Sequence, residues 1–277
     1  MPEALYIKFP PMGKKENMKE NLTNTLGMIL SSTYHFIALI VLIILAFAIG
    51  YVFESMARKR EIKENGSAEA MFSTRKIAII GVFSAISFVL MLFEFPLPIA
   101  PSFYKFDFSD IPALIGGFAA GPMVAVMIEF IKVTLNVLIQ GPTPGFVGEI
   151  ANFVVGCAFI IPATVIYRFK KTRKVALISC LVGTACIALV GSLLNAYFLL
   201  PAYAIAYGCD VSAFVAAGAE INSAITNVFT FCALCVAPFN IIKGAADSAL
   251  TFLVYKQLSP ILKGNVQPAR KAATSEQ

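Results

Sequence analysis

Three polar residues interrupt the last long apolar stretch of the chain. Asn240 precedes Lys243 by three positions, and Asp247 follows it by four. In a helix, these spacings put the three side chains on one face. A charge at bilayer depth costs about 3 kcal/mol on insertion scales, so such a residue usually faces a partner or a water-filled cavity. This face is therefore either a ligand site or the place where a Lys243–Asp247 pair locks helices together.

Glu129, Lys132 and Asn136 have the same helical spacing in another apolar segment. Two interpretations fit them. In the first, Glu129 and Lys132 form an internal ion pair, and the long lysine side chain reaches toward the membrane interface. In the second, they belong to an ion pathway, since ionisable residues inside a membrane often mark one.

Two further segments carry polar groups near their ends. Glu149 and Asn152 open a helix after the turn 142–145, where a carboxylate is favoured electrostatically with or without a ligand. Asn195 ends a later helix before Pro201. Its amide both donates and accepts, which suits a hydroxyl or a heteroaromatic ring edge as well as a capping role. At both places the structural and the binding interpretation stay open.

The composition shows that the elements holding these residues lie in a membrane. The chain of 277 residues is 58% hydrophobic and 14% charged, with a mean hydropathy of +0.79, whereas soluble domains carry about 25% charged residues. Several apolar stretches are continuous and long enough to cross a bilayer, which takes about 20 helical residues. We therefore predict an all-α integral membrane protein rather than a barrel, whose strands would alternate in polarity.

Several classes of function are excluded by what the sequence lacks. The net charge of +6 is confined to short loops, so it indicates membrane orientation and not nucleic-acid binding. The six cysteines lie mostly in apolar helices as small core residues, without a metal-ligand cluster around them. No phosphate-binding loop and no catalytic Ser–His–Asp set occur. We predict no enzyme activity, no cofactor and no ATPase in this chain.

Apolar runs and charge divide the chain into a tail, an extra helix, a linker and a core. The predicted segments are a polar N-terminal tail at 1–26, an extra transmembrane helix at 27–56, a basic cytoplasmic linker at 57–75, a six-helix membrane core at 76–258 and a cytoplasmic tail at 259–277. The core helices are predicted near 77–95, 109–121, 123–140, 147–168, 175–200 and 221–256. Pro238 is expected to kink or divide the last of them.

Lysine and arginine mark the cytoplasmic side of a membrane protein. Here they cluster in the linker, in the loop 168–174 and from Lys256 onward. The loops predicted on the opposite side, at 96–110, 141–147 and 201–220, contain only Lys105. The basic regions share one side only if six helices follow the linker, so both ends of the core are predicted in the cytoplasm. The extra helix then places residues 1–26 outside, which their lysines do not favour.

Two sequence motifs resemble a known family. Residues 106–122 read FDFSDIPALIGGFAAGP and residues 238–244 read PFNIIKG, with Ile131-Lys132, Gly148-Glu149 and Ala151-Asn152-Phe153 between them. These motifs resemble the substrate-binding S components of energy-coupling factor (ECF) vitamin transporters. The first is shared widely among S components, and the second is more specific to the riboflavin-binding members. The resemblance covers residues 72–258.

The resemblance implies a six-helix, vitamin-binding core with its pocket near the outer face. It implies that Asn195, Asn240 and Lys243 contact the vitamin, and that the loop 96–110 covers the pocket. With the aromatic residues of that loop and the two polar residues after the turn 142–145, the candidate substrate-binding residues are Asn195, Asn240, Lys243, Tyr104, Phe103, Glu149 and Asn152.

The resemblance also implies partners. Import requires a separate transmembrane coupling subunit and two cytoplasmic ATPases, at the plasma membrane of a bacterium. Small residues on the first core helix meet the coupling subunit in this family, and they match Ala78, Gly81 and Ala85; small residues let another helix approach closely in lipid. Family members usually begin near what is Met71 here, so the extra helix lies outside the pattern.

The sequence thus predicts the riboflavin-binding subunit of an ECF importer, with no bound cofactor. Two alternatives are kept. An S component for another vitamin, such as thiamine or pantothenate, would have the same fold and a different pocket. A stand-alone, ion-coupled secondary transporter would use Glu129 and Lys132 in its ion pathway.

Overall fold

The structure is a computed structural model that describes residues 18–262 apart from 142, 144 and 145. Of the predicted tails, residues 1–17 and 263–277 lie outside these described residues. The elements in chain order are α1 (Met18–Asn65), α2 (Thr74–Met91), β1 (Phe95–Pro96), β2 (Lys105–Phe106), α3 (Asp110–Ala120), α4 (Pro122–Gln140), α5 (Val147–Phe169), α6 (Arg173–Leu194), a π-helical turn (Asn195–Leu199), α7 (Leu200–Tyr207), α8 (Val211–Ile221), α9 (Val228–Phe231), a second π-helical turn (Cys232–Val236) and α10 (Ala237–Leu262).

Spanning helices make up most of the described chain. Within it, six stretches are long and apolar enough to cross a membrane: Ile40–Asn65, Thr74–Met91, Pro122–Gln140, Val147–Phe169, Arg173–Tyr207 and Val228–Tyr255. The first belongs to the extra helix α1, and the other five belong to the core. The core is completed by the short helix α3, so the predicted all-α membrane fold, with an additional N-terminal helix, is confirmed.

Helix α3 is too short to span, and its length places its first residue at depth. It has 11 residues, which is about 16 Å of helix against a hydrocarbon core of roughly 30 Å. It connects directly through Gly121 to the start of α4, which is a spanning helix. Asp110, at the opposite end of α3, therefore lies near the middle of the membrane.

Helix α3 fits between α4 and α5 because two of its residues have no side chain. A Cβ atom at Gly117 would lie 2.3 Å from Thr164 Cγ2 and 2.8 Å from Ala125 Cβ. At Gly116 it would lie 2.4 Å from Ile128 Cδ1. These distances are shorter than van der Waals contact, so only glycine permits the packing. The paired glycines thereby allow α3, and Asp110 with it, to lie inside the core.

Several predicted boundaries differ from the structure. Helix α1 begins at Met18, within the predicted tail 1–26, and continues to Asn65, through the first part of the predicted linker, because 57–65 is rich in good helix formers. It ends at Gly66, whose φ of 75° is the left-handed conformation typical of a helix end. Residues 201–220 were predicted as loop, and this was wrong, because they contain most of α7 and α8.

The helices α7 and α8 are separated by a tight turn with its own sequence signals. Gly208 ends α7 with a φ of 63°. Asp210 caps α8, since its side chain accepts a hydrogen bond from the Ser212 amide at 2.7 Å. Each helix is shorter than a membrane span, so the length of its apolar segment does not predict it as a spanning helix.

A π-helical turn precedes a proline in each helix that was predicted to contribute a binding asparagine. The turn Asn195–Leu199 comes just before Pro201, and the turn Cys232–Val236 comes just before Pro238. Proline has no N–H and crowds the preceding turn, and a wider turn accommodates it. The last spanning helix is therefore irregular near Pro238, as predicted, and Asn240 lies just after that irregularity.

Candidate ligand-binding site

Lys243 is paired with the loop 97–109 and with the start of α3. Its Nζ donates to the backbone oxygen and to Oδ1 of Asp107, both at 3.1 Å, and lies 3.4 Å from Asp110 Oδ2. It also lies 5.8 Å from the centre of the Phe106 ring. The pair with Asp247 that the helical spacing allowed is replaced by pairs with residues of another segment. The position of Lys243 is therefore linked to that of the loop.

Lys132 lies at the centre of the same charged group. It donates to Asp110 Oδ1 at 2.8 Å and to Ser109 Oγ at 3.0 Å, and it also pairs with Glu129. Its side chain is fully buried, so the prediction that it reaches toward the membrane interface was wrong, while the predicted Glu129–Lys132 pair is formed. We call the connected residues the charge network: Asp107, Asp110, Glu129, Lys132 and Lys243.

The charge network contains more carboxyl groups than ammonium groups. Both of its lysines are already paired with carboxylates. Asp247, one turn beyond Lys243 on α10, is also fully buried, and neither of its carboxyl oxygens has a hydrogen-bond partner among the described residues. Ionised groups at such depth need a counter-charge. The network thus offers no unpaired cation to an anionic ligand and fits a ligand without net negative charge.

The two asparagines predicted to bind a ligand meet at a glycine. Asn195 Nδ2 donates to the backbone oxygen of Gly191 at 2.8 Å, and its Oδ1 accepts from the Tyr104 hydroxyl at 2.6 Å. A Cβ atom at Gly191 would lie 2.7 Å from Asn240 Nδ2. The absence of a side chain at 191 thus allows the Asn240 amide to lie against α6 at the residue whose backbone oxygen accepts from Asn195. Sequence reasoning missed Gly191, although it lies one turn before Asn195 on the same helix.

Aromatic rings surround this pair of amides. The ring of Tyr104 lies 5.7 Å from that of Phe239 and 6.1 Å from that of Phe231. Phe103 packs edge-on against Phe214 of α8 at 5.3 Å. The loop 97–109 is thereby held against α8, α9 and α10. Flat aromatic faces next to a few convergent polar groups are the usual composition of a small-molecule site.

Glu149 and Asn152 lie on α5, and the carboxylate of Glu149 is already engaged. Glu149 Oε1 accepts from the Thr143 amide at 2.8 Å, and Oε2 accepts from the Thr143 hydroxyl at 2.6 Å. The Thr143 hydroxyl in turn accepts from the Gly148 amide at 3.0 Å. This geometry supports a structural role of Glu149 in holding Thr143 against the start of α5. A contact from Glu149 or Asn152 to a ligand stays a prediction.

The small residues of α2 form a separate surface. Ala78, Gly81 and Ala85 are all exposed on the outside of the described core. A Cβ atom at Gly81 would have no neighbour within 4 Å. This strip is therefore open to the approach of another helix and takes no part in the charge network or in the asparagine pair.

The family described as ECF transporter, substrate-specific component, matches residues 75–255. This match includes α2 after its first residue, α3 to α9, α10 as far as Tyr255, and every residue of the site described above. The chain belongs to this family. As an S component it is a multi-pass membrane protein and a transport subunit, not an enzyme.

Similar proteins match about two thirds of this S component. The riboflavin transporter FmnP of Bacillus subtilis (strain 168) is 35% identical over 187 residues, which are 67% of this chain and 93% of FmnP. The riboflavin transporter RibU of Staphylococcus aureus (strain TCH60) is 32% identical over 193 residues, 70% of this chain and 95% of RibU. A solved structure of the S component of a bacterial ECF transporter is 31% identical, with a TM-score of 0.54, over 68% of this chain and 97% of that chain.

Helix α1 lies outside the family match, which begins at residue 75. The matched region takes up 93% of FmnP, 95% of RibU and 97% of the solved S component. The additional helix is thus not part of the region that matches the family.

Proposed function

We propose that this S component binds riboflavin near the outer face of the membrane and delivers it inward as part of an ECF importer. The observation that supports this most directly is the convergence of Asn195 and Asn240 at Gly191, next to the Tyr104 ring. Two relatives at 35% and 32% identity are named riboflavin transporters. No cofactor is proposed, since riboflavin would be the transported substrate.

The chemistry of the site suits this vitamin. Riboflavin joins a flat, uncharged ring system to a flexible polyhydroxyl chain, so it needs aromatic faces and groups that both donate and accept hydrogen bonds. Asn240 is buried, and its side-chain amide forms no hydrogen bond with another described residue, which leaves it available to the ring edge or to ribityl hydroxyls. Lys243, one turn deeper, would donate to a ring carbonyl or a hydroxyl. The Tyr104 hydroxyl donates a hydrogen bond to Asn195 Oδ1, and a donor group of the ligand would replace it.

Delivery requires partners that we propose from the family. A transmembrane coupling subunit would contact the open strip at Ala78, Gly81 and Ala85, and two cytoplasmic ATPases would supply the energy. Such an importer is preferred over a stand-alone ion-coupled transporter. Glu129 and Lys132, the residues that such a transporter would use, are joined to Asp110 in the buried charge network, which spans three helices and a loop.

The first test of this proposal is the absorbance spectrum of the purified chain in mild detergent, followed by titration with riboflavin. We expect copurified flavin, or saturable quenching of flavin fluorescence at one site. Thiamine and pantothenate, added in excess, should not displace it. A colourless protein that does not respond to riboflavin would contradict the proposed substrate and leave the S-component fold in place.

Truncation of Asn240 tests the site itself. Asn240→Ala is expected to weaken riboflavin binding about 5- to 150-fold, because one buried polar contact is worth about 1–3 kcal/mol. Ser248→Ala is a matched control, since it also truncates a polar side chain of α10, but one that contacts Thr184 and Cys180 and not the asparagine pair. Equal affinity of the two purified variants would remove Asn240 from the site.

A further inference from the structure

Helix α1 is joined to the core by a buried group of charges. Glu54 of α1 is 1% exposed; its Oε1 lies 2.8 Å from Lys76 Nζ, and its Oε2 lies 3.3 Å from Arg168 Nε. Arg168 also pairs with Glu61, one end of the guanidinium donating to Glu61 Oε2 at 2.9 Å. We call Glu54, Glu61, Lys76 and Arg168 the clasp. Its two acids come from α1 and its two bases from α2 and α5, so their charges balance.

A glycine in the core makes room for the carboxylate of Glu54. Gly121, between α3 and α4, has a φ of 108°, and a Cβ atom there would lie 2.0 Å from Glu54 Oε2. A side chain at 121 would therefore collide with the buried carboxylate, and the backbone conformation also favours glycine. The clasp thus contacts the ends of α2 and α5 and the turn between α3 and α4.

Close packing continues along α1 toward the opposite side of the membrane. At Gly50, a Cβ atom would lie 3.2 Å from a methyl group of Val126 and 3.6 Å from the Met123 Cα. The ring of Phe47 lies 5.3 Å from that of Phe130 and 5.9 Å from that of Phe153. From Phe47 to Glu61 the contacts extend over roughly 21 Å of helix. Helix α1 is therefore fitted to the side of the core formed by α4 and α5.

We propose that α1 is a permanent part of the transport core: it occupies the α4–α5 side throughout the transport cycle, and the coupling subunit docks on α2 with α1 still in place. Undocking would leave the buried carboxylate of Glu54 and the two buried bases, Lys76 and Arg168, without these partners, which is unfavourable. The strip on α2, by contrast, is already open. The inference rests on the proposed function, because it concerns the partner that the proposed importer requires.

A disulfide between α1 and α4 tests this directly. Cysteines at positions 50 and 126 are close enough to bond, since the Gly50 Cβ position is 3.2 Å from a Val126 methyl group. Gly50→Cys/Val126→Cys is made in the full chain and expressed with its coupling subunit and ATPases. We expect the disulfide to form in the membrane, and uptake by the oxidised form to equal uptake by the same protein after reduction.

Two results would overturn the proposal. Failure of the disulfide to form would show that α1 does not pack as described, and loss of uptake that reduction restores would show that α1 must leave. The single variants Gly50→Cys and Val126→Cys, treated with the same oxidant, control for the six native cysteines. Riboflavin binding and uptake by the chain without substitutions are measured in parallel. If the proposed function is wrong, these measurements fail as well, whereas failure of the α1 proposal affects only the oxidised double-cysteine variant.

An exchange of charges tests the clasp if the cysteine pair disturbs folding. Glu54→Lys places a cation beside Lys76 and Arg168, and Lys76→Glu places a carboxylate beside Glu54, so each change alone should lower the amount of folded protein and its uptake. The double variant Glu54→Lys/Lys76→Glu restores an opposite pair between positions 54 and 76, while the new cation at 54 stays beside Arg168, so it should recover part of the folded protein and of the uptake. A double variant as impaired as the worse single variant would contradict the clasp.

Discussion

Replacement of Lys243 by methionine is expected to weaken riboflavin binding about 5- to 150-fold, the effect of removing one buried polar contact. Methionine keeps an unbranched chain of similar length, so the change mainly removes the ammonium group. The same change takes away the cation that pairs with Asp107 and Asp110. Removal of one partner from a buried ion pair typically costs about 3–5 kcal/mol of folding stability. Binding and stability therefore have to be measured separately.

A second substitution separates the two effects. In Lys243→Met/Asp107→Asn the amide replaces the carboxylate that Lys243 neutralised, so the double variant should unfold at a higher temperature than Lys243→Met alone. It still lacks the ammonium group, so its affinity for riboflavin should stay low. Thermal unfolding followed by flavin titration measures both quantities. If the double variant recovers stability and affinity together, Lys243 acts only through the fold.

The carboxylate that pairs with Lys243 could not be predicted from the sequence. Helical spacing correctly identifies the face of α10 that carries Asn240, Lys243 and Asp247, because that spacing is a local property. It does not reveal that the Lys243 ammonium meets Asp107, 136 residues earlier in the chain. That contact depends on how α3 and the loop before it enter the core. The nearest acid in sequence, Asp247, was therefore a misleading choice.

The clasp on α1 has the same cause. Arg168 and Glu54 lie 114 residues apart. In the sequence, each is only one of several charged residues at the end of a spanning helix. The spanning segments themselves were predictable, since length, hydropathy and the distribution of lysine and arginine are properties of each segment alone. Helices α7 and α8 were not, because each is apolar but shorter than a membrane span.

Substitution of a small residue on the exposed side of α2 by leucine is expected to reduce riboflavin uptake and to leave riboflavin binding unchanged. Gly81 and Ala85 lie one turn apart and are exposed, and a Cβ atom at Gly81 has no neighbour within 4 Å inside the described chain. The fold therefore accepts Gly81→Leu or Ala85→Leu without collision. A closely packed partner helix does not, since overpacking an interface costs about 1–3 kcal/mol, which corresponds to about a 5- to 150-fold loss of association.

The control uses the same change of side chain at another exposed position of the core. Ala185, on α6, is also an exposed alanine in a spanning helix, so Ala185→Leu makes the same change as Ala85→Leu on a different face. Uptake is measured in cells that contain the coupling subunit and the ATPases, and riboflavin binding is measured on the purified variants. Reduced uptake for the α2 variants alone, with equal binding in all of them, would place the coupling subunit on α2. Uptake that survives both α2 substitutions would mean that the coupling subunit contacts another face of the core. Because α1 already covers the α4–α5 side, that face would have to lie elsewhere on the core.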